Sequence, residues 1–155
     1  MRRLIVALCS VALLIAVAAP AASATLPQRV TITSDMTYSD IPGGHSYGTF
    51  EATGPAVTRH LICPTGEVRD IYLLAVPGGW DVVKAFVCAD GSQSFIVRLQ
   101  VKVNEDNTET FSWAVKGGTG PYRGLFGTGS GTSTPWDWES GGHLTNTYTG
   151  TMVGM

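Results

Sequence analysis

Residues 93–116, QSFIVRLQVKVNEDNTETFSWAVK, carry the pattern that decides the fold. Every second residue of the first half is apolar: Phe95, Val97, Leu99, Val101 and Val103. The second half repeats this alternation at Phe111, Trp113 and Val115, and the polar residues 104–107 connect the two halves. A period of two is typical of a strand with one buried face, and a short polar connection is typical of a hairpin. The stretch therefore predicts two antiparallel strands.

The same alternation extends in both directions along the chain. Strand-like segments precede residue 93 at 29–36, 46–53, 66–76 and 80–88, and another follows at 144–153. Together with the two strands of residues 93–116 and the glycine-rich segment described next, these segments make about eight predicted strands. No segment has helical periodicity beyond a turn or two. We therefore predict an all-β protein with a single antiparallel eight-stranded barrel of up-and-down topology, because closure removes exposed edge strands. A β-sandwich is the alternative.

Seven glycines crowd into residues 116–131, KGGTGPYRGLFGTGSG. A dinucleotide-binding loop would need a third glycine at Arg123 and a helix behind it, and the phosphate loop of NTPases would need Gly-Lys-Ser or Gly-Lys-Thr. We therefore predict a turn or bulge at Gly117, Gly118 and Gly120, with positive φ at Gly118 or Gly120. Three later glycines occupy alternate positions and should line one face of a strand, where they allow close packing: Gly127, Gly129 and Gly131.

The segment GGTGPYRGLFGTGSG, preceded by FVCADGSQSFIVRLQVKV and TFSWAV, resembles small exported bacterial proteins of the allene oxide cyclase and dirigent type of barrel. The likeness to the exported proteins covers most of residues 48–154, and the likeness to plant cyclases and dirigent proteins covers only the glycine element. The resemblance implies an eight-stranded antiparallel barrel whose lumen takes a hydrophobic ligand. It does not imply the cyclase reaction, because no position of this chain matches the plant enzymes' functional residues.

The first 24 residues have the features of a secretory signal peptide. Two arginines precede an apolar run over 4–19, and Ala22-Ser23-Ala24 is a small-x-small cleavage site. We therefore expect a secreted protein whose single domain is 25–155, with no membrane anchor. Without residues 1–24, 8 Lys plus Arg oppose 12 Asp plus Glu, a net charge of −4. That balance argues against a nucleic-acid partner, whose binding depends on clustered basic residues.

Cleavage after Ala24 would remove Cys9 and leave Cys63 and Cys88. An even pair in an exported protein predicts a disulfide. The alternative, a catalytic thiol or a metal ligand, is disfavoured because neither cysteine has a second cysteine two to four residues away. The three histidines show no close pairing either, so we expect no metal and no cofactor.

The segment Gly44-His45-Ser46-Tyr47-Gly48 fits the G-x-S-x-G nucleophile motif. We reject a serine hydrolase, because that motif requires a strand before the serine and a helix after it. A better candidate is the connection 134–143, which carries Trp136 and Trp138. Long loops with aromatic residues are common binding sites, although the indoles could simply close one barrel end. The candidate ligand-binding residues in lumen or lid are Phe95, Val97, Leu99, Phe111, Trp113, Trp136 and Trp138.

Two functions fit these features. The first is non-catalytic binding of a small apolar ligand, or a surface interaction, with few ionisable groups in the lumen. The second is an isomerase or cyclase for an apolar substrate, which requires a lumenal carboxylate or similar group with a perturbed pKa. The orientation of four side chains discriminates between the two functions: Glu51, Asp70, Tyr72 and Lys84. Convergence of two of these side chains in the lumen would favour the enzyme.

Overall fold

The computed structural model describes residues 26–38, 45–137, 139 and 141–154. Eight strands follow one another: β1 (Gln28–Thr37), β2 (Tyr47–Thr53), β3 (Thr65–Val76), β4 (Gly79–Cys88), β5 (Ser94–Val103), β6 (Glu109–Gly118), β7 (Phe126–Ser133) and β8 (His143–Val153). Each strand pairs antiparallel with its neighbours in sequence, and β8 pairs with β1. The predicted eight-stranded up-and-down barrel is confirmed, and the sandwich alternative is wrong. The predicted signal peptide, 1–24, lies outside the described residues.

The predicted alternation places the apolar face of each strand inside the barrel. Along β5, Phe95, Val97, Leu99 and Val101 are buried, and Arg98, Gln100 and Lys102 between them are exposed. Val103 was expected on the buried face but is 39% exposed, because it is the last residue of β5. On β6 the buried set is Phe111, Trp113 and Val115, as predicted.

Aromatic side chains fill one half of the lumen, which we call the closed half. Phe86 stacks on Phe95 with ring centroids 4.9 Å apart, and Phe50 meets Phe86 edge-on at 5.2 Å. Tyr122 contacts Phe95 from the end of the barrel, and Tyr148 contacts Phe86. All five are almost fully buried. Edge-to-face and offset contacts between rings add to the stabilisation from burial.

The connection between β2 and β3, which we call the plug (residues 54–64), covers the end of the closed half. It contains helix α1 (Pro55–Thr58), and Ala56 and Ile62 are buried against the barrel. The predicted disulfide is confirmed: Cys63 at the end of the plug is bonded to Cys88 at the end of β4, with Cα atoms 5.8 Å apart. The disulfide therefore ties the plug to the barrel wall.

The glycine-rich segment forms a bulge, a short helix and a strand. Phe95 pairs with Gly118 but Val97 pairs with Val115, so β6 carries an extra residue there. Gly120 has φ +53°, which confirms the predicted positive φ at Gly118 or Gly120, and Gly117 also has a positive φ, +98°. A 3-10 helix (Gly120–Gly124) then leads into β7.

On β7 the predicted close packing is confirmed. A Cβ atom added to Gly129 would lie 2.6 Å from atoms of the Trp113 ring, and one at Gly131 would lie 2.2 Å from the Phe111 ring. The glycines therefore leave room for two large aromatic side chains against the barrel wall.

Up-and-down topology places successive connections alternately at the two ends of the barrel. The end opposite the plug carries 77–78 between β3 and β4, 104–108 between β5 and β6, and the described part of 134–142 between β7 and β8. The tryptophan-containing loop therefore lies at the end away from the plug. We call the adjacent part of the lumen the open half.

Candidate functional site

A cavity of about 260 Å³ occupies the open half of the lumen. Its apolar walls come from four strands, β3, β4, β5 and β8, and include Leu73, Val82, Leu99, Val101 and Leu144. Three aromatic residues that retain solvent exposure complete the lining: Tyr38, Trp80 and Trp136. The polar lining residues are all buried: Ser46, Asp70, Lys84, Glu109 and Asn146. The site is thus an apolar chamber with a few inward polar groups, the usual composition of a small-molecule site.

An ion pair crosses from β3 to β4 inside this cavity. Lys84 Nζ donates a hydrogen bond to Asp70 Oδ1 at 2.5 Å, and the side chains are only 7% and 4% exposed. The backbone N–H of Ser46 donates to the second carboxylate oxygen of Asp70 at 3.3 Å. The Asp70 N–H donates to the Ser46 carbonyl at 2.8 Å. Asp70 therefore joins the chain before β2 to β4.

Asp70 and Lys84 are two of the four side chains chosen to discriminate between the two functions, and both face the cavity. Glu51 and Tyr72 lie on the exposed surface. Two of the four side chains therefore converge in the lumen, which is the arrangement that the sequence predictions associate with an enzyme. Asp70 faces inward because it shares the alternation of the buried Val68, and Lys84 shares that of Val82 and Phe86.

A bulge in β3 explains why Tyr72 is outside. Asp70 pairs with Lys84 but Tyr72 pairs with Val83, so Ile71 is an extra residue. The extra residue reverses the alternation. Tyr72 is consequently 46% exposed, and Leu73 faces the cavity instead.

Glu109, the first residue of β6, is a third ionisable group in the cavity and is 9% exposed. Its Oε1 accepts a hydrogen bond from Trp136 Nε1 at 3.3 Å, and its backbone N–H donates to Ser133 Oγ at 2.9 Å. Burial raises the pKa of the Glu109 carboxyl above its ordinary value, while the Trp136 hydrogen bond and the charge of Lys84 lower it in part. Glu109 thus holds its proton to higher pH than an exposed glutamate.

Polar groups continue from the cavity toward the closed half. Asn146 Nδ2 donates to Ser34 Oγ at 3.5 Å, and both residues are buried. Deeper in the barrel, burial raises the pKa of the Tyr148 phenol well above its ordinary value, an effect that the nearby Ser34 hydroxyl partly offsets. Tyr148 therefore stays neutral across the physiological range.

The predicted ligand-binding residues separate into two groups. Leu99 and Trp136 line the cavity, and Trp136 also meets Tyr38 edge-on with ring centroids 6.0 Å apart. Four others face the lumen and are buried, but they do not line the cavity: Phe95, Val97, Phe111 and Trp113. These four side chains pack against other core side chains and therefore fill the lumen instead of bordering the cavity. Trp138 lies outside the described residues.

The sequence interpretation missed Glu109 and Asn146. Glu109 has the same alternation as Phe111 and Trp113, and Asn146 the same as Leu144 and Tyr148. A polar residue in register with an apolar face was the signal that could have found both. Ser46 and Trp80 lie at strand ends, where alternation is a poor guide.

The described residues offer no group of three His, Cys, Asp or Glu that could hold a metal ion. Of the candidate hydrolase residues, Gly44 lies outside the described part, and Ser46 precedes a barrel strand rather than a helix. Within the described part of the chain, no helix has the length and apolar character needed to span a membrane.

The chemistry available at the site is proton transfer and charge stabilisation. Glu109 can donate or accept a proton, and Lys84 supplies a buried positive charge beside Asp70. Comparisons with protein-family models, curated proteins and solved structures find no match for this chain. Functional inference therefore depends on the geometry of the cavity.

Proposed function

We propose that the barrel binds a small, largely apolar substrate in the open half of its lumen and isomerises or cyclises it by proton transfer. The observation that carries this proposal is Glu109, a buried carboxyl with a raised pKa on the wall of an otherwise mostly apolar cavity. Acid–base catalysts are often carboxyl groups whose pKa burial has moved toward neutrality.

Glu109 is the group that we assign to proton transfer. Its hydrogen bond from Trp136 Nε1 holds one carboxyl oxygen, and the backbone hydrogen bond to Ser133 fixes the start of β6. Lys84 would stabilise negative charge that develops on a substrate oxygen, because a buried cation acts strongly in a water-poor site. Asp70 would hold the Lys84 side chain in place.

The cavity limits the size of the substrate. A cavity of roughly 150 Å³ holds benzene, so by proportion this one takes a molecule of roughly ten non-hydrogen atoms. Seven aliphatic and indole side chains favour an apolar body: Leu73, Trp80, Val82, Leu99, Val101, Trp136 and Leu144. The resemblance to allene oxide cyclase and dirigent barrels supports a hydrophobic lumenal ligand but supplies no catalytic residue.

Non-catalytic binding of a small apolar ligand is the second candidate. It is favoured by the Asp70–Lys84 pair, whose charges compensate each other and can be purely structural. Under this alternative Glu109 only accepts a hydrogen bond from Trp136, and the cavity stores or carries its ligand.

Secretion is part of the proposal. The small-x-small site at Ala22–Ala24 supports export, and the Cys63–Cys88 disulfide is compatible with an oxidising compartment. We infer no nucleic-acid partner, because the predicted mature chain has a net charge of −4.

The test is deuterium exchange from D₂O into a panel of β,γ-unsaturated ketones of about ten non-hydrogen atoms. The protein should incorporate deuterium beside the carbonyl and shift the double bond, both measured by NMR. Glu109→Gln should lose about a hundredfold in rate or more, the usual contribution of an acid–base group. Glu105→Gln, at an exposed turn beyond the end of β5, should match the wild type.

Exchange that survives in Glu109→Gln would overturn the assigned role. Binding of the panel without exchange in any compound would favour the second candidate.

A further inference from the structure

We propose that Lys84 is a nucleophile that forms an imine with the carbonyl carbon of an apolar aldehyde or ketone bound in the cavity. The inference rests on the proposed function in one respect, which is that the ligand enters the open half of the lumen. It goes beyond it by naming the substrate class and a covalent intermediate.

The first reason is the position of the lysine. The chain has three lysines, and Lys102 and Lys116 are exposed on the outside of the barrel. Lys84 is buried and lines the cavity. Lysine is almost never fully buried without a partner, and buried lysines serve as Schiff-base residues because desolvation favours the neutral amine.

The second reason is the partner. Nζ of a lysine has three N–H donors, and Asp70 Oδ1 is its one recorded hydrogen-bond acceptor among the described residues. Asp70 Oδ1 lies 2.5 Å from Nζ and is therefore positioned to take a proton from the ammonium. The same carboxylate then becomes the counter-ion of the iminium that forms on Lys84. Asp70 thus compensates one positive charge on Lys84 both before the reaction, as ammonium, and after it, as iminium.

The third reason is the charge of the cavity. Lys84 and Asp70 cancel, and Glu109 adds either no charge or a negative one, so the cavity has no net positive charge for an anionic ligand. A neutral carbonyl compound satisfies these conditions. Its oxygen can accept hydrogen bonds, and its carbon is the electrophile that an amine requires.

The steps balance without an oxidant or a reductant. Lys84 gives one proton to Asp70, and the neutral amine adds to the carbonyl carbon, forming a C–N bond and opening the C=O double bond. Nitrogen passes one proton to the oxygen, and Glu109 donates a second, so that water leaves as the C=N bond forms. Asp70 then passes the proton that it took from Lys84 to Glu109, which restores both carboxyl groups to their starting states. The net change is R–CHO plus Lys–NH₃⁺ giving Lys–NH⁺=CHR plus H₂O.

The iminium takes the place of the Lys84 ammonium in stabilising charge and so connects this step to the proposed isomerisation. It withdraws electrons from the adjacent carbon and weakens the C–H bond that an acid–base group must break. Glu109 lines the same cavity and is the group available to move that proton.

The experiment is reductive trapping with 4-ethylbenzaldehyde, which has about the size that the cavity admits. The folded protein is incubated with the aldehyde and sodium cyanoborohydride, and the modified lysines are located by peptide mass spectrometry. Lys102 and Lys116 are internal references in the same sample. Lys84 should be modified at least about tenfold faster than either, because only its amine lies in the cavity that concentrates the aldehyde. Lys84→Arg should lose the fast modification, and Lys102→Arg should keep it.

A second measurement separates failure of the imine from failure of the proposed function. 4-Ethylbenzyl alcohol has the same carbon frame but cannot form an imine, and its binding is followed by NMR of the cavity side chains. Alcohol binding with Lys84 modified no faster than Lys102 and Lys116 would overturn the imine and leave the cavity as a binding site. Absence of binding by alcohol and aldehyde alike would overturn both proposals. The wild-type mapping needs no variant, so misfolding of Lys84→Arg cannot obscure the result.

Discussion

The carboxylate of Asp70 and the ammonium of Lys84 form an ion pair inside the barrel, at the point where β3 bulges outward. The bulge at Ile71 changes the face of every later residue in β3, so Asp70 is the last residue of the first alternation to face inward. Two buried charges are stable there because each compensates the other and Ser46 completes the hydrogen bonding of Asp70.

Removing one partner of this pair should destabilise the fold strongly. Lys84→Met leaves Asp70 buried and unpaired, and we expect a loss of about 3–5 kcal/mol in the free energy of unfolding. The double variant Asp70→Asn, Lys84→Met should recover most of that loss, since Asn still accepts the Ser46 N–H. Urea unfolding measures both. Arg98→Met breaks the solvent-exposed pair with Asp81 and should cost much less. Equal losses for Lys84→Met and Arg98→Met would contradict burial of the pair.

Glu109 should make stability depend on pH. Because burial raises its pKa in the folded state, the folded protein keeps the proton that the unfolded chain loses near the ordinary pKa of 4.5. Its contribution to stability is therefore complete below that pH and is lost as pH rises through the folded pKa.

Glu109→Gln removes this dependence. Relative to the wild type, the variant should gain stability between pH 4.5 and the folded pKa, as measured by urea unfolding at a series of pH values. Glu105→Gln, at the exposed turn, is the matched control and should show no such trend. A stability difference between wild type and Glu109→Gln that does not change with pH would show that the carboxyl is not desolvated.

The disulfide should contribute to stability through the plug. Cys63 and Cys88 are 25 residues apart, and a loop of that length corresponds to about 3 kcal/mol in the chain-entropy model. Replacing both cysteines by alanine should lower the free energy of unfolding by that amount. Thiol labelling of the denatured, unreduced secreted protein checks the bond itself and should find no free cysteine. A labelled thiol would mean that the bond does not form in the cell.

Two glycines of the glycine-rich segment, Gly118 at the end of β6 and Gly120 at the start of the 3-10 helix, should resist substitution for different reasons. Gly120 has φ +53° with no close neighbour, so alanine there should cost more than about 1 kcal/mol through backbone strain. At Gly118 a Cβ would lie 2.2 Å from the Ser94 carbonyl oxygen, so the backbone must move and the cost should be larger. Thermal or urea unfolding measures both, with Ser112→Ala on the exposed face of β6 as the control. Neutral substitutions at both glycines would contradict this backbone conformation of residues 118–120.

Local alternation was sufficient to predict most of the fold. The pattern Phe95–Val101 places one face of β5 inside, and short polar connections make successive strands antiparallel neighbours. Closure followed from the need to protect edge strands. The disulfide was predictable because Cys63 and Cys88 are the only pair left after the expected cleavage.

The candidate site was only partly predictable, because its position depends on a β-bulge and on side-chain packing, and neither is visible in the alternation of apolar and polar residues. The extra residue at Ile71 reverses the alternation of β3, so Leu73 faces the cavity and Tyr72 is exposed. Which inward side chains fill the lumen and which leave space depends on three-dimensional packing. Phe86 and Phe95 stack and close their half, whereas Leu99, further along the same strand as Phe95, borders a cavity.

The most direct test of the central claim is to locate a bound ligand within the barrel by methyl NMR. 4-Ethylbenzyl alcohol is titrated into protein with labelled leucine methyl groups. Three leucines line the cavity: Leu73, Leu99 and Leu144. Leu125 is buried near the plug end and serves as the internal reference. Leu144→Trp should fill the cavity and abolish binding, whereas Leu74→Trp, at an exposed position on β3, should not.

We predict saturable shifts at Leu73, Leu99 and Leu144, little change at Leu125, and loss of all shifts in Leu144→Trp alone. The absence of saturable shifts, or shifts that persist unchanged in Leu144→Trp, would contradict a ligand site in the open half of the lumen.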